Sequence, residues 1–314
     1  MALEENLMPT LTPLDEGIIQ IDTDMAGLDQ TVAAFFIPGE RPAVVETGPA
    51  TVARTLTAGL DQIGVPREDV AYFVMSHIHL DHAGGAGDLM EAFPNATVVV
   101  HIEGARHMVD PTKLMASAYR VFGDALDRTF GPLKAVPADR LMAVEPGALL
   151  DLGGRTLEMV EATGHARHHM AIQDSSSGGI FVGDAMGVFL PEAGVLRPAT
   201  PPPDFDLAIA LATIRRFRDR DPRALYLTHF GAAPTDRDLL AESEERLIQH
   251  GEIIREAMVE SDDIDFLAER LRELTWDDYA AIHDQPTLLA KFEALNAFKS
   301  SAAGYLRYFQ TSGA

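Results

Sequence analysis

Cysteine is absent from this sequence of 314 residues, and basic residues are scarce. Without cysteine the chain can form no disulfide and offers no thiolate to a metal, which fits a reducing compartment. Only 25 lysine and arginine residues stand against 48 acidic ones, so the net charge is −23. Long nucleic acid is therefore an unfavourable partner, because binding it requires clustered positive charge.

Long apolar runs and targeting signals are missing as well. No run approaches the roughly 18 apolar residues that span a bilayer, so no membrane partner is expected. The acidic start, Met1-Ala2-Leu3-Glu4-Glu5, lacks the cationic segment of a secretory signal. We therefore expect a cytoplasmic protein, and the length and 46% hydrophobic content allow one large domain or two smaller ones.

The most informative stretch runs from Ser76 to Gly85, where three histidines and an aspartate fall within six residues. It follows an apolar segment at 71–75 that is typical of a buried strand. In an extended loop His77 and His79 point to the same side, and Asp81 and His82 follow before the glycines. Imidazole nitrogens and carboxylate oxygens are ligands that zinc and similar divalent metals prefer.

This stretch resembles the HxHxDH signature of the metallo-β-lactamase fold superfamily. That family takes its remaining ligands from three later strand ends, in the order His, Asp, His. His165, Asp184 and His229 each follow an apolar run and stand in that order. The resemblance implies an α/β fold, a four-layer αββα sandwich over residues 1–234, with a helical C-terminal extension over 235–314.

The resemblance also implies a dinuclear metal site. One metal would be held by His77, His79 and His165, the other by Asp81, His82 and His229, with Asp184 bridging both. Two divalent ions are expected, zinc first, with iron or manganese as alternatives. A hydroxide shared by the metals would be the nucleophile, and Asp81 would also act catalytically by accepting and donating protons.

Departures from other branches of the family narrow the expected activity. Asp184 disfavours true β-lactamases, which lack a bridging carboxylate there, and His79 disfavours the diiron flavoprotein reductases, which carry glutamate at that place. The acidic balance disfavours the tRNA-processing branch. A glyoxalase II-like or lactonase-like hydrolase of a small thioester, lactone or phosphoester remains. The alternatives are a mononuclear iron enzyme of the persulfide dioxygenase type and, outside catalysis, a metal-bound docking module.

Three residues outside the predicted ligand set have two interpretations each, and a fourth has one. Glu46 lies where the family usually has an Asp-x-Gly turn beside the metals, and it could support the site or only form the turn. His101 could line the site or be a plain edge residue. His169 could orient a ligand or only begin a strand, and Arg167 is a candidate for binding an anionic substrate group.

After Asp184 the sequence predicts a loop followed mainly by helices. Asp204 is predicted to cap a helix over 205–218, after a proline-rich loop at 190–203. The C-terminal extension should contain a long helix from Leu239 to Met258 and a last helix over 292–309. Packing against the sandwich or pairing two subunits in a homodimer is the role we expect for these helices.

Overall fold

The computed structural model describes residues 8–312, and this part of the chain contains fifteen strands and eleven α-helices. The strands are β1 Leu11–Pro13, β2 Ile19–Asp22, β3 Ala33–Ile37, β4 Ala43–Val45, β5 Tyr72–Val74, β6 Thr97–His101, β7 Leu141–Val144, β8 Leu149–Asp151, β9 Thr156–Glu161, β10 Met170–Asp174, β11 Ile180–Gly183, β12 Val188–Leu190, β13 Val195–Arg197, β14 Leu225–Leu227 and β15 Gly231–Ala232. The helices are α1 Ala53–Ile63, α2 Leu80–Ala83, α3 Ala86–Ala92, α4 Ile102–Val109, α5 Thr112–Phe122, α6 Ala125–Thr129, α7 Leu207–Asp219, α8 Leu239–Ala257, α9 Ile264–Thr275, α10 Pro286–Leu295 and α11 Phe298–Ser312.

The chain divides into two compact units. Unit 1 comprises Met1–Val160 and Met170–Phe181, and unit 2 comprises Glu161–His169 and Val182–Ala314. Within the described residues, no helix combines the length and the apolar character that crossing a membrane requires. The division predicted from the sequence, at residue 234, stays a prediction.

Unit 1 is built on a seven-stranded sheet, counted over the described residues, in the order β1 to β7. Strands β1 to β4 run antiparallel, whereas β4 to β7 run parallel. Parallel neighbours need a crossover connection, and α1 and then α2 with α3 supply the first two crossovers. The histidine-rich stretch after β5 therefore lies at the end of the sheet where the parallel strands β4 to β7 have their C-termini.

The two faces of this sheet bury different partners because successive side chains alternate in direction. Phe36, Phe73 and Val98 belong to a core cluster that also contains Leu56 of α1 and Leu89 of α3. Phe35, the neighbour of Phe36, points to the opposite face. Its ring meets that of Phe181 in β11, with centroids 5.0 Å apart at an angle of 62°.

Phe181 belongs to the part of a second sheet that lies in unit 1, where strands β8, β9, β10 and β11 neighbour one another in that order. Strands β8 and β9 form a hairpin, and Gly153 and Gly154 make its turn at φ 82° and 74°. A buried ion pair of Arg155 with Asp174, at 2.7 Å, ties β9 to the end of β10. Unit 1 therefore contains two sheets packed face to face, with helices on the outside of the first.

Unit 2 contains the hairpin of β12 and β13, the hairpin of β14 and β15, and helices α7 to α11. Helices α8, α9 and α11 pack together through fully buried side chains, among them Ile254, Leu271 and Tyr305. Tyr305 also donates its hydroxyl to the carbonyl of Leu247, at 2.8 Å. The long helix predicted from Leu239 to Met258 is confirmed as α8.

Three expectations about unit 2 are wrong. The residue that caps α7 is Asp206, which accepts the backbone N–H of Ile209, whereas Asp204 pairs with Arg167. The predicted loop at 190–203 contains strand β13. The single helix predicted over 292–309 is two helices, because α10 ends at Leu295 and α11 begins at Phe298, on either side of Asn296.

Candidate metal centre

The histidine-rich stretch follows β5 directly, as the sequence predicts. His79 stands at the N-terminus of the short helix α2, so Asp81 and His82 lie in the first turns of a helix rather than in a loop. The chain then passes through Gly84, where a Cβ would lie 2.3 Å from the carbonyl oxygen of Leu80. Only glycine fits there, because the backbone of Pro49 and Ala50 also lies 3.0 and 3.1 Å from the place of that Cβ.

Three of the four motif side chains contact one another inside unit 1. The Nε2 atom of His77 lies 2.8 Å from Nδ1 of His79, and the rings of His77 and His82 are 4.0 Å apart. Asp81 approaches His82, with Oδ2 3.8 Å from Nε2. His77 and His82 are almost fully buried, whereas the Asp81 side chain is 23% exposed. Asp81 and the partly exposed His79 are therefore the members of this group that water can reach.

Glu46, which follows β4, contacts Ser76 and His82 of the motif. Its residue has φ 66°, and its buried carboxylate accepts a hydrogen bond from the Ser76 hydroxyl. The same Oε1 atom lies 3.1 Å from Nδ1 of His82. Of the two interpretations of Glu46, the contact with His82 favours support of the site over turn formation alone. His101, in contrast, accepts the backbone N–H of Glu103 and so caps α4.

The remaining candidates lie together in unit 2, each within four residues of the end of a strand. His165 follows β9, Asp184 follows β11, and His229 follows β14. Each oxygen of the Asp184 carboxylate faces one imidazole: Oδ2 lies 3.4 Å from His165 Nε2, and Oδ1 lies 3.5 Å from His229 Nε2. All three residues are at most 6% exposed.

Close packing fixes the turn that carries His165. Gly164, with φ 125°, lies so near α7 that a Cβ would be 2.6 Å from the Cα of Ala210. Behind the turn, His169 accepts the backbone N–H of Asp184 at Nε2, at 3.1 Å. His169 therefore holds the backbone of a candidate ligand, in agreement with the first of its two interpretations. Arg167 pairs with Asp204, so its charge is already compensated.

The hydrogen bonds of His82 and His165 fit metal ligation. A carbonyl or a carboxylate oxygen can only accept, so the proton of each ring lies on the Nδ1 that faces such an oxygen. For His165 this oxygen is the carbonyl of Ala199, 2.9 Å away, and for His82 it is the Glu46 carboxylate. Nε2 of each ring then carries the lone pair and faces a carboxylate, Asp184 or Asp81. In each pair a nitrogen lone pair faces a carboxylate oxygen, so neither atom can donate a hydrogen bond to the other. A cation between the two atoms would bind both.

The donor set also restricts which metals suit the site. Neutral imidazoles and carboxylates offer nitrogen and oxygen only, and the sequence has no cysteine that could add sulfur. Zinc, iron and manganese all accept such ligands, whereas copper(I) and iron–sulfur clusters favour sulfur. The residues of both units therefore fit divalent metal binding.

Comparison with known proteins identifies the family to which this chain belongs. A family model described as the metallo-beta-lactamase superfamily matches residues 26–229. A metallo-beta-lactamase fold-containing protein of Sulfurisphaera tokodaii is 30% identical over 51% of this chain and 60% of its own. A hydroxyacylglutathione hydrolase of a Synechococcus strain is 29% identical over 48% of this chain and 46% of its own. The chain thus spans about half the length of these curated relatives.

A solved structure extends the likeness to the C-terminal helices. The metallo-beta-lactamase family protein TTHA1429 of Thermus thermophilus matches with a TM-score of 0.66 and 20% identity. The match covers 98% of this chain and 93% of that protein. Together with the family model, this likeness confirms the fold predicted from the sequence.

Proposed function

Because this chain belongs to the metallo-beta-lactamase superfamily, we propose that it is a dinuclear metal-dependent hydrolase of a small ester-like substrate. The substrate class is a thioester, a lactone or a phosphoester. The observation that carries the proposal is the placement of Asp184, whose two carboxylate oxygens each face the Nε2 atom of a different histidine. A carboxylate in that position can serve two metals at once.

The proposed ligand set joins the candidates of both units on the strength of the family resemblance. His77, His79 and His165 would hold one ion, Asp81, His82 and His229 would hold the other, and Asp184 would be available to both. Bound divalent ions lower the pKa of water to roughly 7 and polarise the substrate's carbonyl or phosphoryl oxygen. The metals are proposed to be zinc, and the absence of cysteine supports a cytoplasmic setting.

The chain's own residues orient the ligands and move protons. Glu46, His169 and the Ala199 carbonyl hold candidate ligands through hydrogen bonds, so the imidazoles need little reorganisation when a metal binds. Asp81 is partly exposed, and we assign to it the transfer of a proton from the attacking water to the leaving group. The Synechococcus relative is a hydroxyacylglutathione hydrolase by name, which supports screening thioesters first.

The test is a hydrolysis screen of thioesters, lactones and phosphoesters with zinc-loaded protein. His77→Ala and Asp184→Ala should each abolish turnover of the best substrate while the circular dichroism spectrum stays that of the wild type. His107→Ala is the matched control, because it removes another imidazole of unit 1, on α4, that contacts Arg106. Full turnover in both ligand variants would show that the site assignment is wrong.

A further inference from the structure

The β12–β13 hairpin and the residues after it contact all three ligand-bearing turns of unit 2. The backbone N–H of Phe189 donates to the carbonyl of His229, at 2.6 Å. Gly187, after the Asp184 turn, packs so tightly that a Cβ would lie 2.2 Å from the carbonyl oxygen of Arg197. The carbonyl of Ala199 accepts the Nδ1 proton of His165. The orientation of His165 and the path of the chain after Asp184 therefore depend on where the segment from Arg197 to Thr200 lies.

The C-terminal helices hold this segment. Asn296, between α10 and α11, donates its side-chain amide to the carbonyls of Pro198, at 2.7 Å, and Arg197, at 3.3 Å. Thr200 donates its hydroxyl to the carbonyl of Ser301 in α11. At Gly304 the helix backbone touches the segment, because a Cβ there would lie 1.8 Å from the Thr200 carbonyl oxygen.

The Arg197 side chain provides a second attachment. It is fully buried, and its Nη1 donates to the Glu293 carboxylate and to the Asn296 carbonyl, at 2.7 and 2.6 Å. The guanidinium lies 4.1 Å from the ring centroid of Phe292 and 3.7 Å from that of Phe298. Cation–π contacts of a desolvated guanidinium are among the stronger ones. The end of β13 is thus fixed both to α10 and to α11.

We propose that the C-terminal helices are part of the metal site's support, with Asn296 as the positioning residue. By fixing the carbonyls of Arg197 and Pro198, Asn296 places the next carbonyl, that of Ala199, where it keeps the His165 proton on Nδ1. Nε2 of His165 is then presented to a metal. This inference rests on the proposed function, in which His165 is a ligand, and it assigns to the helices a role beyond the packing or dimerisation expected from the sequence.

The test compares Asn296→Ala with Thr275→Val. The control removes one buried hydroxyl, whose hydrogen bond to Leu271 stays within α9, so it changes the same helical region away from the segment. Two readouts separate positioning from general stability. The ring ¹⁵N shifts of His165 in selectively labelled, metal-free protein give its tautomer. Competition with a chelator gives the affinity for Zn²⁺ and Co²⁺.

We expect the Nδ1–H tautomer in wild type and control, and a mixture of tautomers in Asn296→Ala. Loss of a residue that orients a metal ligand typically costs 10- to 100-fold in metal affinity, and since Asn296 acts through one carbonyl, about 10-fold is expected for one of the two ions. Thr275→Val should bind both ions within about twofold of wild type. If Asn296→Ala does not fold, Asn296→Asp has nearly the same size and, measured at a pH where its carboxyl is ionised, cannot donate to the two carbonyls, so it should show the same changes.

Two results would overturn the inference, and they differ in what they imply. If His165→Ala loses one ion but the Asn296 variants keep the wild-type tautomer and both affinities, the helices do not position His165 and the proposed function stands. If His165→Ala itself keeps both ions at wild-type affinity, the ligand assignment fails and the inference fails with it.

Discussion

Replacement of Glu46 by glutamine changes one buried atom and should weaken metal binding by the motif of unit 1. Glu46 Oε1 faces Nδ1 of His82 at 3.1 Å, and the carboxylate also accepts the Ser76 hydroxyl. Because a carboxylate only accepts, it keeps the His82 proton on Nδ1 and the lone pair on Nε2. Glutamine can turn its amide N–H toward Nδ1, which favours the opposite tautomer and puts a proton on the ligating nitrogen.

The magnitude follows from the bond that is lost. A hydrogen bond to a charged group contributes about 1.5–3 kcal/mol, and about 1.4 kcal/mol corresponds to a factor of ten. We therefore expect Zn²⁺ affinity at one of the two sites to fall about 10- to 100-fold. The fold should persist, because the glutamine carbonyl, in the place of Oε2, can still accept the Ser76 backbone N–H, and the Ser76 hydroxyl can accept the amide N–H.

The assay is competition for Zn²⁺ between a chromogenic chelator and metal-free protein, with circular dichroism to check folding. Glu46→Asp is the matched control, because it keeps the carboxylate and shortens the side chain by one methylene. It should retain more affinity than Glu46→Gln. Equal affinity of wild type and Glu46→Gln for both ions would refute the argument that Glu46 fixes the His82 tautomer.

Three further predictions concern stability. Burial raises the pKa of Asp22 to about 6, so the folded state takes up a proton more readily than the unfolded state, and stability falls as pH rises from about 4 to 6. Asp22→Asn should remove this loss and raise the free energy of unfolding at pH 7.5 by about 1 kcal/mol, measured by urea titration. For His250, burial first and neighbouring arginine charges second lower the pKa to about 3. The free energy of unfolding is therefore unaffected by this group above pH 6.5 and falls by about 2 kcal/mol as the pH is lowered to 5. His250→Gln should flatten this part of the plot of unfolding free energy against pH. Gly187→Ala should lower the free energy of unfolding, measured by calorimetry, by about 2–4 kcal/mol, because the residue has φ 97° and the added Cβ would meet the Arg197 carbonyl. Gly147→Ala has a similarly strained φ but open space around the Cβ, so it should cost only about 1 kcal/mol.

Much of the fold could be predicted from local pattern. The apolar runs before His77, His165, Asp184 and His229 form strands, and each candidate follows its strand as expected. These residues are predictable because strand periodicity and turn glycines are encoded in short stretches of sequence. Which candidates share one metal is a prediction that the family resemblance supplies, and residue spacing alone does not.

The features that were missed depend on contacts between distant parts of the chain. The apolar spacing over 292–309 continues as for one helix, but Asn296 interrupts it by bonding to carbonyls about a hundred residues away. Asp204 and Asp206 are both good caps by residue type, and the partner Arg167 decides between them. Such choices are made by tertiary hydrogen bonds, which local propensity does not describe.

The hydrogen bonds that orient the candidate ligands also join residues that are far apart in the sequence. Glu46 lies 36 residues from His82, and Ala199 lies 34 residues from His165. The sequence suggests a supporting role for Glu46 because of its place beside the motif, but it gives no sign of a carbonyl at Ala199. Backbone acceptors carry no residue-type signal, so their role emerges only from the fold.

The metal content of the protein, purified without added metal, tests the central claim most directly. Elemental analysis should find close to two zinc ions, or a mixture of zinc and iron, per chain, and the protein should take up no oxygen with glutathione persulfide. One iron per chain together with oxygen uptake would contradict the dinuclear hydrolase and place the protein with the persulfide dioxygenases.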